Sequence, residues 1–279
     1  MNLENTINKA SQILKNHNIH SHELDAQIIL SDIMGIKREF LITNNEINIS
    51  EKVIEKYDNA IKRRIKREPV AYIIGKKEFW SQSFRVNYST LIPRPESELL
   101  VYKLINCFKN KRINILDIGA GSGCILLSLL KELHLSRGIG IDISSKAIKT
   151  AKLNSKRLHI FYRSKFKVIS INNFNVGKYD LIVSNPPYVA LKDIKNLSKD
   201  ILNFEPLIAL KGGFDGLDLI EKVIYKSKYL LKANGMFGIE VGTNQYLQVS
   251  NVLKKNGFRE VNKEYDCNCN VRCIISTKT

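Results

Sequence analysis

Residues 180–188, Asp-Leu-Ile-Val-Ser-Asn-Pro-Pro-Tyr, predict a buried strand that stops abruptly at a polar corner. Leu181–Val183 is a short aliphatic and β-branched run of the kind found inside a sheet. Pro186 and Pro187 cannot continue a parallel ladder, because neither has an N–H to donate. Ligands of open α/β sheets bind at the C-terminal ends of the parallel strands. We therefore expect Asn185–Tyr188 to face a binding cleft.

This corner leaves two hydrogen-bond acceptors without a ladder partner, the side-chain oxygen of Asn185 and the carbonyl of Pro186. Two neighbouring acceptors suit a planar –NH2 group, which has two hydrogens to donate. A proline-rich turn that merely follows a strand is the competing interpretation. The neighbouring motifs decide between the two.

A glycine-rich loop follows the first strand of a strand–helix alternation, which is the pattern of a parallel sheet. Strand Ile113–Leu116 leads into Asp117-Ile-Gly-Ala-Gly-Ser-Gly123, and helix Cys124–Leu133 follows at once. Such glycines let the backbone pass close under a ligand, and the helix N-terminus offers N–H groups to a negative group. The next strand, Gly138–Ile141, ends at Asp142, at the usual distance for a carboxylate that grips a ribose diol.

The order of residues in this loop favours S-adenosylmethionine over a dinucleotide. Gly119-Ala120-Gly121-Ser122-Gly123 is Gly-x-Gly-x-Gly, and not the Gly-x-Gly-x-x-Gly that binds a pyrophosphate. The motif begins with Asp117, and a carboxylate in that place suits a ligand that carries an ammonium group. We assign Asp117, Gly119–Gly123, Asp142 and Asn185 to cofactor binding.

The rest of the larger region continues the alternation of strands and helices. The further elements that we predict are helix 144–155, strand 166–169, strand 179–184, helix 217–231, strand 235–241, helix 245–255, strand 258–265 and strand 271–276. We therefore assign residues 99–279 to one domain of α/β class that binds S-adenosylmethionine.

Residues 1–75 predict a small helical bundle. One predicted helix is His22–Met34 with Gly35 as its stop, and another is Ser50–Arg67 with Pro69 ending it. The bundle has no polar cluster of catalytic type, so we assign it to substrate recognition. Residues 76–98 are predicted to form a β-hairpin linker, and at its end Ser97 or Glu98 begins a helix that runs to residue 108.

The amino-acid composition limits which kinds of protein this chain can be, but it says less about its binding partners. The net charge is +17, and the basic excess lies in residues 76–279, which favours acidic or nucleic-acid-rich partners but also fits a biased composition. No apolar run has the ~18 residues of a membrane helix. The five cysteines read as reduced thiols, and their spacing predicts no metal site. We expect a cytoplasmic protein.

Together, these residues resemble the release factor glutamine methyltransferases, the HemK/PrmC family of protein-(glutamine-N5) methyltransferases. The resemblance runs nearly end to end. It rests on Arg67–Tyr72, Phe79-Trp80, Ile92–Glu96, Asp117–Gly123, Asn185–Tyr188, Phe204–Pro206, Gly216-Leu217 and the spacing from Asp266 to Arg272. It implies a Rossmann-like class I methyltransferase domain with a mostly parallel seven-stranded sheet behind a helical N-terminal domain. It also implies S-adenosyl-L-methionine as cofactor.

The resemblance implies a substrate as well: the glutamine of the Gly-Gly-Gln motif in class-1 peptide chain release factors, so that methylation supports translation termination. On this basis Asn185, Pro186 and Tyr188 are catalytic, and Pro187 joins them in binding the substrate. The two acceptors would hold the amide nitrogen while Tyr188 packs against the amide plane. We expect a monomer without direct nucleic-acid or membrane binding.

Two positions depart from the family pattern. Asn172 stands where the family usually has an acid near the adenine, and Asn173 stands where some members have a stacking aromatic residue. Asn172 can still accept a hydrogen bond from an adenine amine. We therefore keep both residues in the cofactor site and expect weaker binding rather than none.

Three alternatives stay open at this point. One is a glutamine methyltransferase that acts on a ribosomal protein, and a second is an adenine-N6 DNA or RNA methyltransferase, which shares Asn-Pro-Pro-Tyr. The third is a non-catalytic RNA- or ribosome-binding protein that keeps the methyltransferase fold.

Overall fold

A seven-stranded sheet carries the predicted strand and its corner at its centre. The strands of this sheet and of two smaller ones are, in chain order, β1 Lys76–Phe79, β2 Gln82–Arg85, β3 Asn114–Ile118, β4 Arg137–Asp142, β5 Ser164–Val168, β6 Tyr179–Ser184, β7 Val189–Ala190, β8 Lys211–Gly213, β9 Leu231–Glu240, β10 Phe258–Tyr265 and β11 Val271–Lys278. The large sheet has the order β10-β11-β9-β6-β3-β4-β5, and β1-β2 and β7-β8 form two small ribbons. The strands from β9 to β5 pair in parallel, and β11 and β10 are antiparallel. The mostly parallel α/β fold is confirmed.

This computed structural model describes residues 2–44 and 46–279, apart from the side chain of residue 42. Residues 1 and 45, which belong to the predicted first domain, lie outside the described residues. The chain divides into two compact units. One comprises Met1–Lys76 and Ser198–Phe204, and the other comprises Lys77–Leu197 and Glu205–Thr279.

The helices are α1 Leu3–Asn16, α2 His22–Met34, α3 Arg38–Thr43, α4 Glu51–Ile65, α5 Val70–Ile74, α6 Glu96–Phe108, α7 Cys124–Glu132, α8 Ser145–Arg157, α9 Lys199–Phe204, α10 Asp218–Leu230 and α11 Tyr246–Lys255. None of the helices in the described part of the chain is long and apolar enough to cross a membrane.

β6 is apolar on both faces because helices cover both faces of the sheet. Leu181 and Val183 join a core cluster with α6, α7 and α8, whereas Ile182 joins a second cluster with α10 and α11. All three side chains are fully buried. The predicted strand 179–184 is confirmed with its bounds.

Most predicted elements appear with shifts of a few residues, and two boundaries need correction. Helix α4 ends at Ile65, and Pro69 does not end it but serves as the N-cap of α5. Proline suits that place because the N–H groups of a first helical turn lack intrahelical partners. Helix α6 begins at Glu96, one residue before the predicted start at Ser97 and two before the alternative start at Glu98.

A buried arginine holds the smaller unit together. The Arg64 side chain is 7% exposed, and it donates from Nε to Asp25 and from Nη1 to Asp200, each at 2.7 Å. The apolar core of this unit contains Leu3, Leu30 and Tyr57. Arg64 therefore ties the segment 198–204 to the helical core by charge.

We predict that Arg64→Ala lowers the free energy of unfolding of this unit by about 3–5 kcal/mol, because it leaves the buried Asp25 carboxylate and the half-buried Asp200 carboxylate without their counter-charge. Urea denaturation followed by circular dichroism measures the loss. Lys62→Ala, at an exposed position of the same helix, is the control and should change stability by less than about 0.5 kcal/mol. Equal stability of the two variants would contradict this account of Arg64.

Candidate active site

A cavity of about 220 Å³ opens at the C-terminal ends of β3, β4 and β6. The end residues Ile118, Asp142 and Ser184 line it, together with the segments 89–97, 169–171 and 206–209. This is the place where open parallel sheets bind ligands. Among the predicted site residues, those lining it are Gly119, Ala120, Gly121, Ser122, Asp142, Asn185, Pro186 and Pro187.

The glycine loop forms the floor beside β3. Gly119 and Gly121 have φ angles of 77° and 55°, in the left-handed region that favours glycine. The N–H groups of Gly119 and Ala120 donate to the Ile141 carbonyl at 2.9 and 3.0 Å, which fixes the loop to β4. Gly123 has another use, since an added Cβ would lie 3.0 Å from the Phe166 ring. It allows close packing and does not line the cavity.

Asp142 ends β4 and holds the loop from the other side. Its Oδ2 accepts from the Gly121 N–H at 2.9 Å, and its Oδ1 accepts from the Ser144 N–H at 2.8 Å. Each carboxylate oxygen has capacity for a further hydrogen bond. The half-buried side chain can thus present an anchored carboxylate to a ligand hydroxyl.

Asp117 lies near the end of β3, just before the loop; it is nearly fully buried and does not itself line the cavity. Neither carboxylate oxygen has a hydrogen-bond partner among residues 2–44 and 46–279. Burial, opposed by the Leu126 backbone N–H and assisted by the nearby charge of Asp142, raises the pKa of this carboxyl to about 7. A buried carboxylate without a partner is rare in proteins and indicates a place for a cationic or hydrogen-bond-donating ligand group.

The Asn-Pro-Pro corner presents acceptors to the cavity. Nδ2 of the half-buried Asn185 donates to Ser97 Oγ at 3.1 Å. Within the described part of the chain, no hydrogen bond reaches Asn185 Oδ1 or the Pro186 carbonyl oxygen. These are the two acceptors that the sequence analysis predicts.

Tyr188 lies behind this corner and does not line the cavity. Its hydroxyl accepts from Arg272 Nη2 at 3.2 Å and donates to Glu240 Oε1 at 3.3 Å. Its carbonyl accepts from Gln245 Nε2 at 3.0 Å. Burial and the charge of Glu240 raise the pKa of Tyr188, so its hydroxyl is neutral.

Close backbone packing keeps the corner in place. Gly216, with a φ of 86°, approaches so closely that an added Cβ would lie 2.4 Å from the Tyr188 carbonyl oxygen. At Gly212 an added Cβ would lie 2.8 Å from the Tyr188 Cα. The loop before α10 therefore packs directly against the Tyr188 backbone and restricts its movement.

Glu240 is a fully buried carboxylate at the end of β9. Ser97 Oγ donates to its Oε2, and the Arg272 guanidinium lies 3.9 Å from its Oε1. Burial raises the pKa of Glu240, and the hydrogen bond from Ser97 and the charge of Arg272 oppose that rise. Sequence reasoning missed this residue, although its position at the end of a predicted parallel strand is the signal that identifies Asp142.

Glu205 was also missed. Its carboxylate accepts from the Ile92 N–H at 3.1 Å and pairs with Arg94, which lines the cavity. The charged arm 91–96 is thereby fastened to the segment that follows residue 204.

Asn172 and Asn173, two further predicted cofactor-binding residues, are exposed on the loop that follows β5. Both lie in a short 3-10 turn, Ile171–Asn173, and neither lines the cavity. The residues of this loop that do line it are Ile169, Ser170 and Ile171. A cofactor role for the two asparagines stays a prediction.

Two family models match the chain: the PrmC N-terminal domain over residues 5–75 and the methyltransferase small domain over residues 95–208. The release factor glutamine methyltransferase of Buchnera aphidicola subsp. Schizaphis graminum is 39% identical and aligned over 100% of both chains. That of Clostridium acetobutylicum is 35% identical over 95% of each chain. A crystal structure of a methyltransferase from Pyrococcus furiosus superposes with a TM-score of 0.52 at 16% identity, covering 79% of this chain and 98% of that one. That likeness concerns the fold alone.

The buried Asp117 carboxyl generates a prediction about stability in the ligand-free protein. Folding raises its pKa from 3.8 to about 7. Ionisation of Asp117 therefore leaves the free energy of unfolding unchanged below about pH 4, and it lowers that free energy by about 4 kcal/mol above pH 7. Stability from this group is therefore lost as the pH rises. We predict that Asp117→Asn removes this loss, so that its unfolding free energy relative to the parent chain increases by up to about 4 kcal/mol from about pH 4 to about pH 8.

Thermal denaturation at the two pH values measures the difference. Asp193→Asn, at an exposed carboxylate, is the control and should leave the pH dependence unchanged. A parallel pH dependence in parent and Asp117→Asn would contradict a raised pKa at Asp117.

Proposed function

The chain belongs to the release factor glutamine methyltransferase family, and from that premise we propose that it methylates the side-chain amide nitrogen (N5) of glutamine. The methyl donor is S-adenosyl-L-methionine. The substrate is the glutamine of the Gly-Gly-Gln motif in class-1 peptide chain release factors, so the reaction supports translation termination. The observation that carries the proposal is a pair of acceptors on residues that line the glycine-loop cavity: Asn185 Oδ1 and the Pro186 carbonyl, neither of which accepts a hydrogen bond from residues 2–44 or 46–279.

The residues present fit this donor. Asp117 is a buried carboxylate without a partner in the described residues, and it would hold the ammonium end. Asp142 is anchored by two backbone N–H groups and would hold the ribose hydroxyls. Gly119 and Gly121 would let the backbone lie close under the ligand. When bound, S-adenosyl-L-methionine supplies an electrophilic methyl group on a sulfonium.

The chain's own contribution is to make a poor nucleophile reactive by position. The lone pair of an amide nitrogen is delocalised into its carbonyl. Acceptance of both N–H hydrogens, by Asn185 Oδ1 and by the Pro186 carbonyl, orients the nitrogen and helps the lone pair to localise. Positioning of this kind can contribute roughly 7–11 kcal/mol in favourable cases.

The remaining assignments follow from the same premise. The Tyr188 side chain, held by Arg272 and Glu240, keeps the corner rigid from behind, and its packing against the bound amide plane stays a prediction. Residues 1–75 recognise the protein substrate. We further place the enzyme in the cytoplasm; its monomeric state and the lack of direct nucleic-acid binding stay predictions.

A transfer assay tests the substrate. Tritiated S-adenosyl-L-methionine is offered in parallel to a class-1 release factor, to the same factor with the Gly-Gly-Gln glutamine changed to alanine, to ribosomal proteins and to DNA. We expect label in the intact release factor and none in the alanine variant. Label that enters ribosomal proteins or DNA instead would contradict the assignment.

The role of the corner generates a second prediction. Asn185→Ala should lower the rate of transfer by about 10²–10³-fold, because one of the two groups that hold the nucleophile is gone. Calorimetry should find the affinity for S-adenosyl-L-methionine within about threefold of the parent chain, since the glycine loop and Asp142 are intact. Asn175→Ala, at an exposed asparagine, is the control. Normal turnover by Asn185→Ala refutes the role.

A further inference from the structure

The carboxamide of Asn185 can serve this site in only one of its two orientations. Oδ1 accepts hydrogen bonds and Nδ2 donates them, yet the two ends have nearly the same shape. A half-turn about the last side-chain bond would aim Nδ2 at the substrate –NH2, so that two donors would face each other. Packing alone distinguishes the two orientations poorly, so hydrogen bonds must decide between them.

The Ser97 hydroxyl provides that decision. It lies between Asn185 and Glu240, accepting from Asn185 Nδ2 at 3.1 Å and donating to Glu240 Oε2. A hydroxyl has one hydrogen, and here it is given to the carboxylate. Ser97 can therefore only accept from Asn185, which must present Nδ2 and leave Oδ1 to the cavity.

Glu240 gives the chain of hydrogen bonds its direction. An ionised carboxylate only accepts hydrogen bonds, so both Ser97 and the Tyr188 hydroxyl must donate to it. The side chain is fully buried at the end of β9, the strand that pairs with β6. A fixed anion beside the corner thus sets the hydrogen positions of three side chains.

Arg272 and the hydrogen bonds from Ser97 and Tyr188 favour the anion of Glu240, whereas burial and the charge of Glu96 oppose it. Arg272 on β11 lies 3.9 Å away and supplies the opposite charge. Tyr188 and Cys273 face the carboxylate as neutral groups, since burial raises the pKa of each. Glu96 in the first turn of α6 adds a second negative charge to this neighbourhood.

We propose that Ser97 and Glu240 are positioning residues, which act through Asn185 by holding its Oδ1 toward the substrate nitrogen. The proposal rests on the glutamine methyltransferase function given above. A purely structural role, in which Ser97 only links α6 to β6 and β9, makes a different prediction: it affects stability but not the geometry at Asn185.

Kinetics of the full chain with a class-1 release factor separate the two. Ser97→Ala frees the Asn185 amide, so we expect kcat to fall roughly tenfold while the affinity for S-adenosyl-L-methionine is unchanged. Ser97→Thr keeps the hydroxyl and should stay within about threefold of the parent chain. Adding Ser97→Ala to Asn185→Ala should cost almost nothing more, because the residue it acts through is already gone.

Glu240→Gln tests the direction of the hydrogen bonds. A glutamine amide can donate to Ser97 Oγ, which releases the Ser97 hydrogen toward Asn185 and permits the wrong orientation. We expect kcat to fall roughly tenfold. In the parent chain kcat should also decline at acid pH as Glu240 gains a proton, and this decline should be absent in Glu240→Gln.

A spectroscopic arm needs no substrate. In ¹⁵N-labelled protein, the Asn185 Nδ2 hydrogens should give one set of signals with one hydrogen protected from exchange. Ser97→Ala should lose the protection and Ser97→Thr should keep it. The proposal is overturned if Ser97→Ala leaves these signals unchanged. It is also overturned if the fold-reduction of kcat in the double variant equals the product of the reductions in Ser97→Ala and Asn185→Ala. An inactive parent chain would instead count against the proposed function, with the spectroscopic result still deciding the proposal.

Discussion

The structure depends on one constraint: a central strand whose apolar residues are fully buried must end where its chain runs into two prolines. β6 is hydrogen-bonded on both sides, to β3 and to β9, so it cannot slip along the sheet. Pro186 and Pro187 have no N–H for a further ladder step. The carbonyl of Pro186 and the side chain of Asn185 are therefore delivered to a fixed place at the C-terminal edge, beside the glycine loop.

Around that corner the fold buries carboxylates that lower the stability of the protein. Asp117 is buried without a partner in the described chain, and Glu240 is buried with the Arg272 guanidinium 3.9 Å away. A buried network is favourable when every member is satisfied and costly otherwise. Such costs are expected at functional sites, where groups are held ready for a ligand. The close packing of Gly212 and Gly216 against the Tyr188 backbone, and the ion pair of Arg94 with Glu205, hold the corner rigid despite these costs.

The bounds of several strands and helices could be predicted from the sequence, because local residue patterns determine them. Strand 179–184, strand 258–265 and helix 22–34 appear with their predicted bounds, because apolar periodicity and terminal glycine or proline act over a few residues. Ser97 and Glu240 were not predicted as a pair, since 143 positions separate them and only the sheet order brings them together. Likewise, Gly123 reads as a ligand-binding glycine in the sequence but lies under the Phe166 ring, a contact set by packing.

The central claim is that the corner captures a carboxamide by both of its hydrogens. A crystal structure of the chain with S-adenosylhomocysteine and a Gly-Gly-Gln peptide tests it most directly. The account predicts the glutamine side-chain nitrogen within about 3 Å of both Asn185 Oδ1 and the Pro186 carbonyl oxygen, on the side that faces the sulfur. A glutamine bound elsewhere, or an Asn185 amide that presents Nδ2 to the substrate, would contradict it.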